Sequence, residues 1–412
     1  MLKKIQQSIA LFCTALAWFV PAQLSAMDDA EESALFSGAL DAYISYALEH
    51  NPGIEAAEHR ARAQRNRASA VFSLDDPMLM TRFGGEDFGF SGIGIRQMVM
   101  FPTKIFTQRR AAMHMADAAA FGVSLRRAEV VSAVIAAYAD LYTALRRKEI
   151  MENTTALLRL LEDSVRVMYA AKKATMSELL RIQVELASME DAVRSVEAEI
   201  DSYRHHFAAV LNIDDVDAVQ VHPDTRPGTA LHKSDAHILA VILEHNPMLA
   251  MMESETASAS AMVSLARQQY LPDFEISAEY MPGNSSVSIG LGFRLPIWVR
   301  RNQARIAEAR NTRTAAEMQL AEQRNRIRAE AVSLLNDYRD ALRRMELYSG
   351  TLIPQAGDVV ELTQIDYRTG LAGIADLIES QRMLFSLEER LIGYELKVQK
   401  ARAGLLLMMG GT

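Results

Sequence analysis

Two hydrophobic periodicities divide this chain of 412 residues. The first is helical. Apolar residues recur with seven-residue spacing at Leu179, Ile182, Leu186, Met189, Val193, Val196, Ile200, Tyr203, Phe207 and Val210. They recur again at Leu377, Leu384, Leu387, Leu391, Tyr394, Val398, Ala401 and Leu405, with Ser380 filling one slot. A heptad sustained this long specifies left-handed coiled-coil packing. The stretch before the first heptad offers a matching face at Val131, Val134, Ile135, Tyr138, Leu141, Tyr142 and Leu145. From Thr103 to Val221 there is no proline, and Gly122 is the only glycine. The pattern therefore predicts two long helices, about 103–171 and 174–212, reversing near Ala171-Lys172-Lys173. The outgoing helix would be roughly 100 Å long. A second pair is expected at about 298–367 and 373–408, reversing through Tyr367–Gly373, where glycines permit a tight turn. Pro354 should interrupt the outgoing helix of that pair, because it removes a backbone donor.

The second periodicity is two residues. Phe274, Ile276, Ala278 and Tyr280 alternate with Asp273, Glu275, Ser277 and Glu279. After Pro282-Gly283-Asn284, Val287, Ile289, Leu291, Phe293 and Leu295 alternate with Ser288, Gly290, Gly292 and Arg294. These runs predict strands at about 272–281 and 286–295, one face apolar and the other polar, as in a hairpin with lipid outside and water inside. The lipid-facing set would be Phe274, Ile276, Tyr280, Val287, Ile289, Leu291 and Phe293. An earlier, less regular pair is expected at about 77–83 and 90–100. It has a Gly84-Gly85-Glu86-Asp87 tip, and Ile93, Ile95 and Val99 alternate with Gly94, Arg96 and Met98. Four such strands cannot close a membrane barrel, since single-chain barrels begin at about eight. Open edges are not tolerated in lipid. Several copies must contribute to one barrel, and three would give twelve strands.

The whole pattern occurs twice. Leu48-Glu49-His50-Asn51-Pro52 recurs as Leu243-Glu244-His245-Asn246-Pro247, and Pro77 recurs as Pro272. Phe101-Pro102 recurs as Leu295-Pro296, and Ala144-Leu145-Arg146-Arg147 as Ala341-Leu342-Arg343-Arg344. Tyr169, Leu179 and Gln183 then correspond to Tyr367, Leu377 and Gln381. The order is kept while the spacing drifts slightly, as two copies of one unit would. The expected division is a first repeat over 27–219, a linker over 220–234 rich in turn formers, and a second repeat over 235–412.

The N-terminus sets the expected compartment. Lys3 and Lys4 precede an apolar run from Ile9 to Val20, then Pro21 and a Leu24-Ser25-Ala26 ending, the features of a signal peptide over 1–26. Its removal would take the net charge from -8 to -10, and nothing basic enough for nucleic acid remains. The single cysteine, Cys13, lies inside that leader, so no disulfide or cysteine chemistry is expected in the mature chain. No stretch of eighteen or more apolar residues follows, and no transmembrane helix is expected. There is no phosphate-binding glycine loop, nucleophile elbow or His-Glu-x-x-His motif, which argues against an enzyme and gives no cofactor.

Several of these segments resemble the TolC superfamily of outer-membrane efflux proteins, over nearly all of the mature chain. The repeated Leu-Glu-His-Asn-Pro looks like the family's entry motif. Ile353-Pro354-Gln355-Ala356 and Tyr367-Arg368-Thr369-Gly370 look like its approach to the periplasmic tip. Gln97–Lys104 is similar to its passage from second strand to long helix, particularly in the heavy-metal branch of the CusC and CzcC type. The resemblance implies a fold that is mainly α with a small β part, assembled as a homotrimer with a twelve-stranded barrel and a periplasmic α-helical tunnel. It implies a passive exit duct served by a periplasmic adaptor and an inner-membrane pump of the RND type. Metal ions are favoured over drugs as cargo. The adaptor would meet the tips at Lys172, Lys173, Arg368, Thr369, Gly370 and Leu371, and Asp376 and Glu379 would constrict the pore. Two positions depart from the family pattern. Ala372 stands where an arginine is frequent, and Lys172 stands where the first tip would have glycine.

The same architecture serves as an exit duct for secreted proteins, and that reading stands as the alternative. A soluble periplasmic coiled-coil scaffold would lack the two amphipathic strand pairs. Met113-His114-Met115 and His205-His206 could ligate soft metals, but methionines at helical spacing usually pack, so no metal site is assigned. His50 and His245, each before Asn-Pro, point to a structural junction.

Overall fold

The computed structural model describes residues 40–84, 89–222, 228 and 234–411. The leader 1–26, the Gly85-Glu86-Asp87 tip and most of the 220–234 linker lie outside the described residues. In chain order the elements are α1 (Leu40–His50), α2 (Pro52–Ala70), β1 (Met78–Gly84), β2 (Gly89–Val99), α3 (Pro102–Ala170) and α4 (Met176–Leu211). The second copy gives α5 (Asp235–His245), α6 (Pro247–Gln268), β3 (Asp273–Met281), β4 (Ser286–Arg294), α7 (Val299–Leu347), α8 (Ile353–Thr369) and α9 (Ile374–Met408). The fold is mainly helical with one small sheet.

The chain divides into two compact units that do not follow the repeat. One unit holds α1, the part of α3 from Ala137 onward, and α4. Here the heptad residues Leu179, Ile182, Met189, Val196, Ile200 and Phe207 are buried, as are Tyr138, Leu141, Leu158 and Val165 of α3. Thr175 starts α4 with a reciprocal capping box to Glu178, and Asn212 in the left-handed conformation ends it. Tyr43 of α1 wedges against the hairpin, its ring 5.0 Å from Phe207 and 6.2 Å from Tyr138. Its hydroxyl donates to the Gln220 carbonyl at 2.7 Å and accepts from the Gln220 N–H at 3.1 Å. Burial, with the neighbouring phenols of Tyr43 and Tyr142, pushes the Tyr138 hydroxyl up to about 12. Across the two arms, Gln183 Nε2 donates to Glu162 at 2.9 Å, and Arg166 on the same helix also bonds that carboxylate. Both hydrogen bonds hold Glu162 below the usual carboxylate range.

The other unit takes in Asn51–Ala136 and the chain from Gly228 onward. Its helical core joins Ile238, Ile242 and Leu249 to Ile327, Ala331, Leu335, Tyr338 and Ala341 of α7 and to Val398, Ala401, Leu405 and Met408 of α9. Ile238 occupies in the second copy the place Tyr43 has in the first, so each short entry helix plugs its own hairpin. The slot at Ser380 is buried, its hydroxyl returned to the Leu377 carbonyl at 2.9 Å.

The repeated His-Asn-Pro motif is a helix break and restart. Asn51 Oδ1 accepts from the N–H groups of Gly53 and Ile54, with Pro52 opening α2. Asn246 does the same for Leu249, and its amide also donates to the Met408 carbonyl at 2.9 Å, tying the start of α6 to the end of α9. Asparagine caps the new helix while proline needs no donor at its first position.

Pro354 interrupts its α-helix, as the missing donor led us to expect, and the helical rod continues beyond it. The chain passes through a π-turn at Tyr348–Leu352, in which the Ile353 N–H reaches back to the Tyr348 carbonyl. The wider turn accommodates the missing proline donor and lets the helix resume as α8. One further expectation needs qualifying. Over part of its length α3 is apolar enough to cross a membrane by composition, but 67% of that window is buried within the protein. Such a helix is core.

The strands form one antiparallel sheet in the order β1-β2-β3-β4. The two repeats therefore meet edge to edge at β2 and β3, where Ile93 pairs with Tyr280 and Val99 with Phe274. Nine residues at about 3.4 Å each, as in β3 and β4, reach the length that spans a bilayer when tilted.

Candidate functional site: the two faces of the sheet and the helical turns

Register decides which side chains share a face. Phe274 stands opposite Phe293, Ile276 opposite Leu291, Ala278 opposite Ile289, and Tyr280 opposite Val287. Ile95 and Ile93 continue the same face through β2 to Leu79 and Thr81 of β1. Ile276, Tyr280, Val287, Ile289, Leu291 and Phe293 are all exposed, Ile289 at 82%. Phe274 is half-buried between Phe101 and Phe293, at 5.9 and 5.6 Å. A contiguous apolar surface of this kind on one sheet face marks an interaction with lipid or protein.

The opposite face is charged and internally paired. Arg82 bonds Glu279 at 2.8 Å across strands, and Arg96 bonds Glu275 at 3.0 Å. At the foot of β3, Lys104 Nζ bonds Asp273 Oδ1 at 2.8 Å and the Leu271 carbonyl at 2.9 Å. Glycines make room for these acids. A Cβ on Gly92 would lie 3.1 Å from Glu279 Oε1, and one on Gly292 would lie 3.3 Å from Glu275 Cβ. The alternation in the sequence had placed Arg96, Glu275 and Glu279 on the polar side. Arg82, which bonds Glu279, and Lys104, which bonds Asp273, were not singled out, because pairing across different repeats leaves no local pattern.

Each long hairpin reverses through one left-handed residue. In the second copy this is Gly370, φ 81°, followed by Leu371 and Ala372, whose N–H groups both return to the Asp366 carbonyl. In the first copy it is Lys172, φ 57°, with Lys173 returning to the Met168 carbonyl at 2.8 Å. The first turn therefore has the geometry of a glycine turn without the glycine. Left-handed backbone strains a side chain by about 1–2 kcal/mol and not glycine. Gly370→Ala is expected to destabilise its turn by that amount, and Lys172→Gly to stabilise the other by up to about 1 kcal/mol. Hydrogen exchange of the amides flanking each turn measures both changes.

Leu371 is 81% exposed, and Lys172, Lys173, Arg368, Thr369 and Gly370 are exposed with it at their respective turns. Asp376 and Glu379 both lie on the exposed side of α9, and Leu377 and Ile378 between them are buried. The Asp376 carboxylate accepts from the Gly373 N–H at 2.9 Å and so caps α9. Among the described residues no group of three or more histidine, cysteine or acidic side chains could hold a metal. His50 and His205 bond carbonyls one turn back on their own helices.

A sheet with an exposed apolar face and an ion-paired polar face is thus joined in the chain to long helical hairpins. Residues 238–411 match the family described as Outer membrane efflux protein. The chain is 24% identical over 276 residues to the pyoverdine export outer membrane protein OpmQ of Pseudomonas aeruginosa. That alignment covers 63% of this chain and 56% of OpmQ, so the chain spans little more than half the length of that curated relative. Its fold is that of the outer-membrane channel OprN, with a TM-score of 0.80, 19% identity and 92% of each chain covered. It is also that of CusC, with a TM-score of 0.77, 14% identity, and 90% of this chain and 92% of CusC covered. The second half of the chain thus matches the outer-membrane efflux protein family, and the chain as a whole shares the fold of these solved channels.

Proposed function

We propose that this chain is one protomer of a homotrimeric outer-membrane channel, the passive exit duct of a tripartite efflux system. The observation that carries this reading is the sheet. Its apolar face is uncovered, its charged face is satisfied internally, and β1 and β4 have no strand beyond them among the described residues. Lipid does not tolerate such edges. Three copies supply twelve strands and leave no edge, with the apolar faces outward and the ion-paired faces lining water. The helical hairpins then continue as a periplasmic tunnel, and a periplasmic adaptor with an inner-membrane pump of the RND type meets the turns at Lys172, Lys173, Arg368, Thr369, Gly370 and Leu371. The cargo is a small solute. The likeness of Gln97–Lys104 to the metal branch supports metal ions, and the pyoverdine relative supports an organic compound.

The assembly is tested by fractionation. A trimer that resists detergent and sediments with outer membranes is expected. A chain that stays monomeric in mild detergent, or is released as soluble protein, overturns the reading.

Within the same reading, three copies of Asp376 and Glu379 form a ring of acids at the closed entrance. Like charges crowded in a narrow pore raise the local cation concentration, and their field is screened by salt. Asp376→Asn retains an acceptor for the Gly373 N–H, so the turn survives the substitution. With Glu379→Gln added, cation selectivity and block by divalent cations should disappear in planar-bilayer recordings while trimers still assemble. Unchanged selectivity would place both acids on the outer surface of the helices.

A further inference from the structure

The apolar alternation of β4 does not stop where the strand stops. Leu295 and Ile297 carry it on past Phe293, and both are exposed. Two tight turns then fix the chain, the Ile297 N–H donating to the Leu295 carbonyl and the Val299 N–H to the Ile297 carbonyl, each at 3.0 Å. Trp298, 64% exposed, stands at this junction, and the first turn of α7 carries Arg300 and Arg301. Ile297, Trp298, Val299, Arg300 and Arg301 line one open cleft of about 560 Å³. That volume falls within the range of small-molecule sites, about 300–1,000 Å³.

The cleft is cationic and brings no counter-charge of its own. From Arg294 to Ala307 the chain has four arginines and no acid. Arg300 and Arg301 are exposed, and neither pairs with a carboxylate among the described residues. The matching place in the first repeat differs, because there Lys104 is buried against Asp273 and its charge is met within the chain. The opposite edge of the sheet also sets aromatic rings beside an arginine. Phe72 and Phe106, both exposed, lie 6.1 Å apart, with Arg109 over the Phe72 ring at 5.4 Å. Asp75 and Asp76 give that edge its own acids, whereas the α7 edge has none. Rings at the boundary of an apolar surface, with arginines just beyond it, are the arrangement that a membrane interface favours. An apolar strip ending in unpaired guanidinium groups complements a molecule with acyl chains and an anionic head. A zwitterionic head would bring an ammonium group to a cleft that has no carboxylate to receive it.

We infer that this cleft binds an anionic phospholipid, of the phosphatidylglycerol type, from the periplasmic leaflet of the membrane. Arg300 and Arg301 hold the phosphate, since guanidinium groups donate paired hydrogen bonds to phosphate oxygens. Trp298 marks the interface, and the acyl chains run over Ile297, Leu295 and Phe293 toward the apolar face of the sheet. The inference rests on the reading of the sheet as part of a membrane barrel, and goes beyond it in naming a lipid class and the residues that select it. In a trimer three such sites ring the channel where the barrel meets the helices.

Trp298 reports on the site directly. The chain has two tryptophans, and the other, Trp18, lies in the expected leader. The full chain is reconstituted in phosphatidylcholine vesicles that contain graded amounts of one lipid brominated on its acyl chains. Brominated phosphatidylglycerol should quench Trp298 fluorescence at a lower mole fraction than brominated phosphatidylethanolamine, by roughly fivefold for each arginine engaged. Arg300→Gln combined with Arg301→Gln should abolish that preference, while vesicles made wholly of brominated phosphatidylcholine still quench Trp298. A native chain quenched equally by the two lipids overturns the inference, as does a double variant that keeps the preference. If that variant's trimers also dissociate at a lower temperature, the arginines serve a contact between subunits instead. Loss of the preference on adding excess inorganic phosphate, with equal protection by sulfate-free phosphate alone in detergent, would identify a site for a free anion and also overturn it. Each of these results leaves the barrel standing. A chain that does not enter vesicles, and whose Trp298 no brominated lipid quenches, overturns the functional reading itself.

Discussion

Ile289→Arg is expected to remove most of the chain from the outer membrane, and Ser288→Arg, one residue away, to leave it there. Ile289 projects from the apolar face beside Ala278 and is the most exposed of the large apolar strand residues. An arginine facing lipid near mid-bilayer costs about 2–4 kcal/mol, and a closed trimeric barrel would carry three of them. That penalty is comparable to the whole stability of an ordinary domain, about 5–15 kcal/mol. Ser288 stands opposite Glu279 on the charged face, where Arg82 already bonds that carboxylate. A second arginine there meets an acid and water. The measurement is the amount of trimer in outer-membrane fractions at matched expression. Equal loss from both variants would mean that the sheet does not separate lipid from water along this register.

These expectations were legible in the sequence wherever the signal is local and periodic. The heptad through Leu179–Phe207 fixes which side of α4 is buried, because seven-residue spacing keeps one stripe on one face. The alternation through Phe274–Tyr280 and Val287–Phe293 fixes the faces of β3 and β4 in the same way. What stayed hidden depends on which distant residues meet. No local pattern says that β2 pairs with β3, or that Arg82 faces Glu279, 197 positions away. Lys172 shows another limit. Its left-handed backbone is imposed by the closure of the hairpin around it, and lysine carries no mark of that conformation. Pro354 gave the interruption and its cause but not its form. A missing donor was expected to interrupt the helix, and the interruption is the π-turn over Tyr348–Leu352, after which the helix resumes. Asp376 was read for its charge, and its first task in the fold is to cap α9.

The second large effect is expected where the two repeats are clamped together. Lys104 is buried, and its ammonium is held by Asp273 and by the Leu271 carbonyl, while the Phe101 N–H supplies a further bond to the same carboxylate at 3.0 Å. Lys104→Met keeps the length and apolar stem and removes the charge, leaving Asp273 with one backbone donor. Breaking a buried pair by deleting one partner costs about 3–5 kcal/mol, because the remaining charge is stranded away from water. Replacing both partners by apolar residues of similar volume is often neutral or stabilising. Lys104→Met should therefore lower the dissociation temperature of the trimer markedly. Adding Asp273→Leu should recover much of the loss, apart from the bond to the Phe101 N–H that goes with the carboxylate. The repeat supports that recovery, since the positions corresponding to Lys104 and Asp273 in the other copy are the uncharged Trp298 and Met78. A double variant no more stable than Lys104→Met alone would show that Asp273 is needed for its bond to the backbone rather than for the lysine, and that the clamp is a strand-end cap instead of an ion pair.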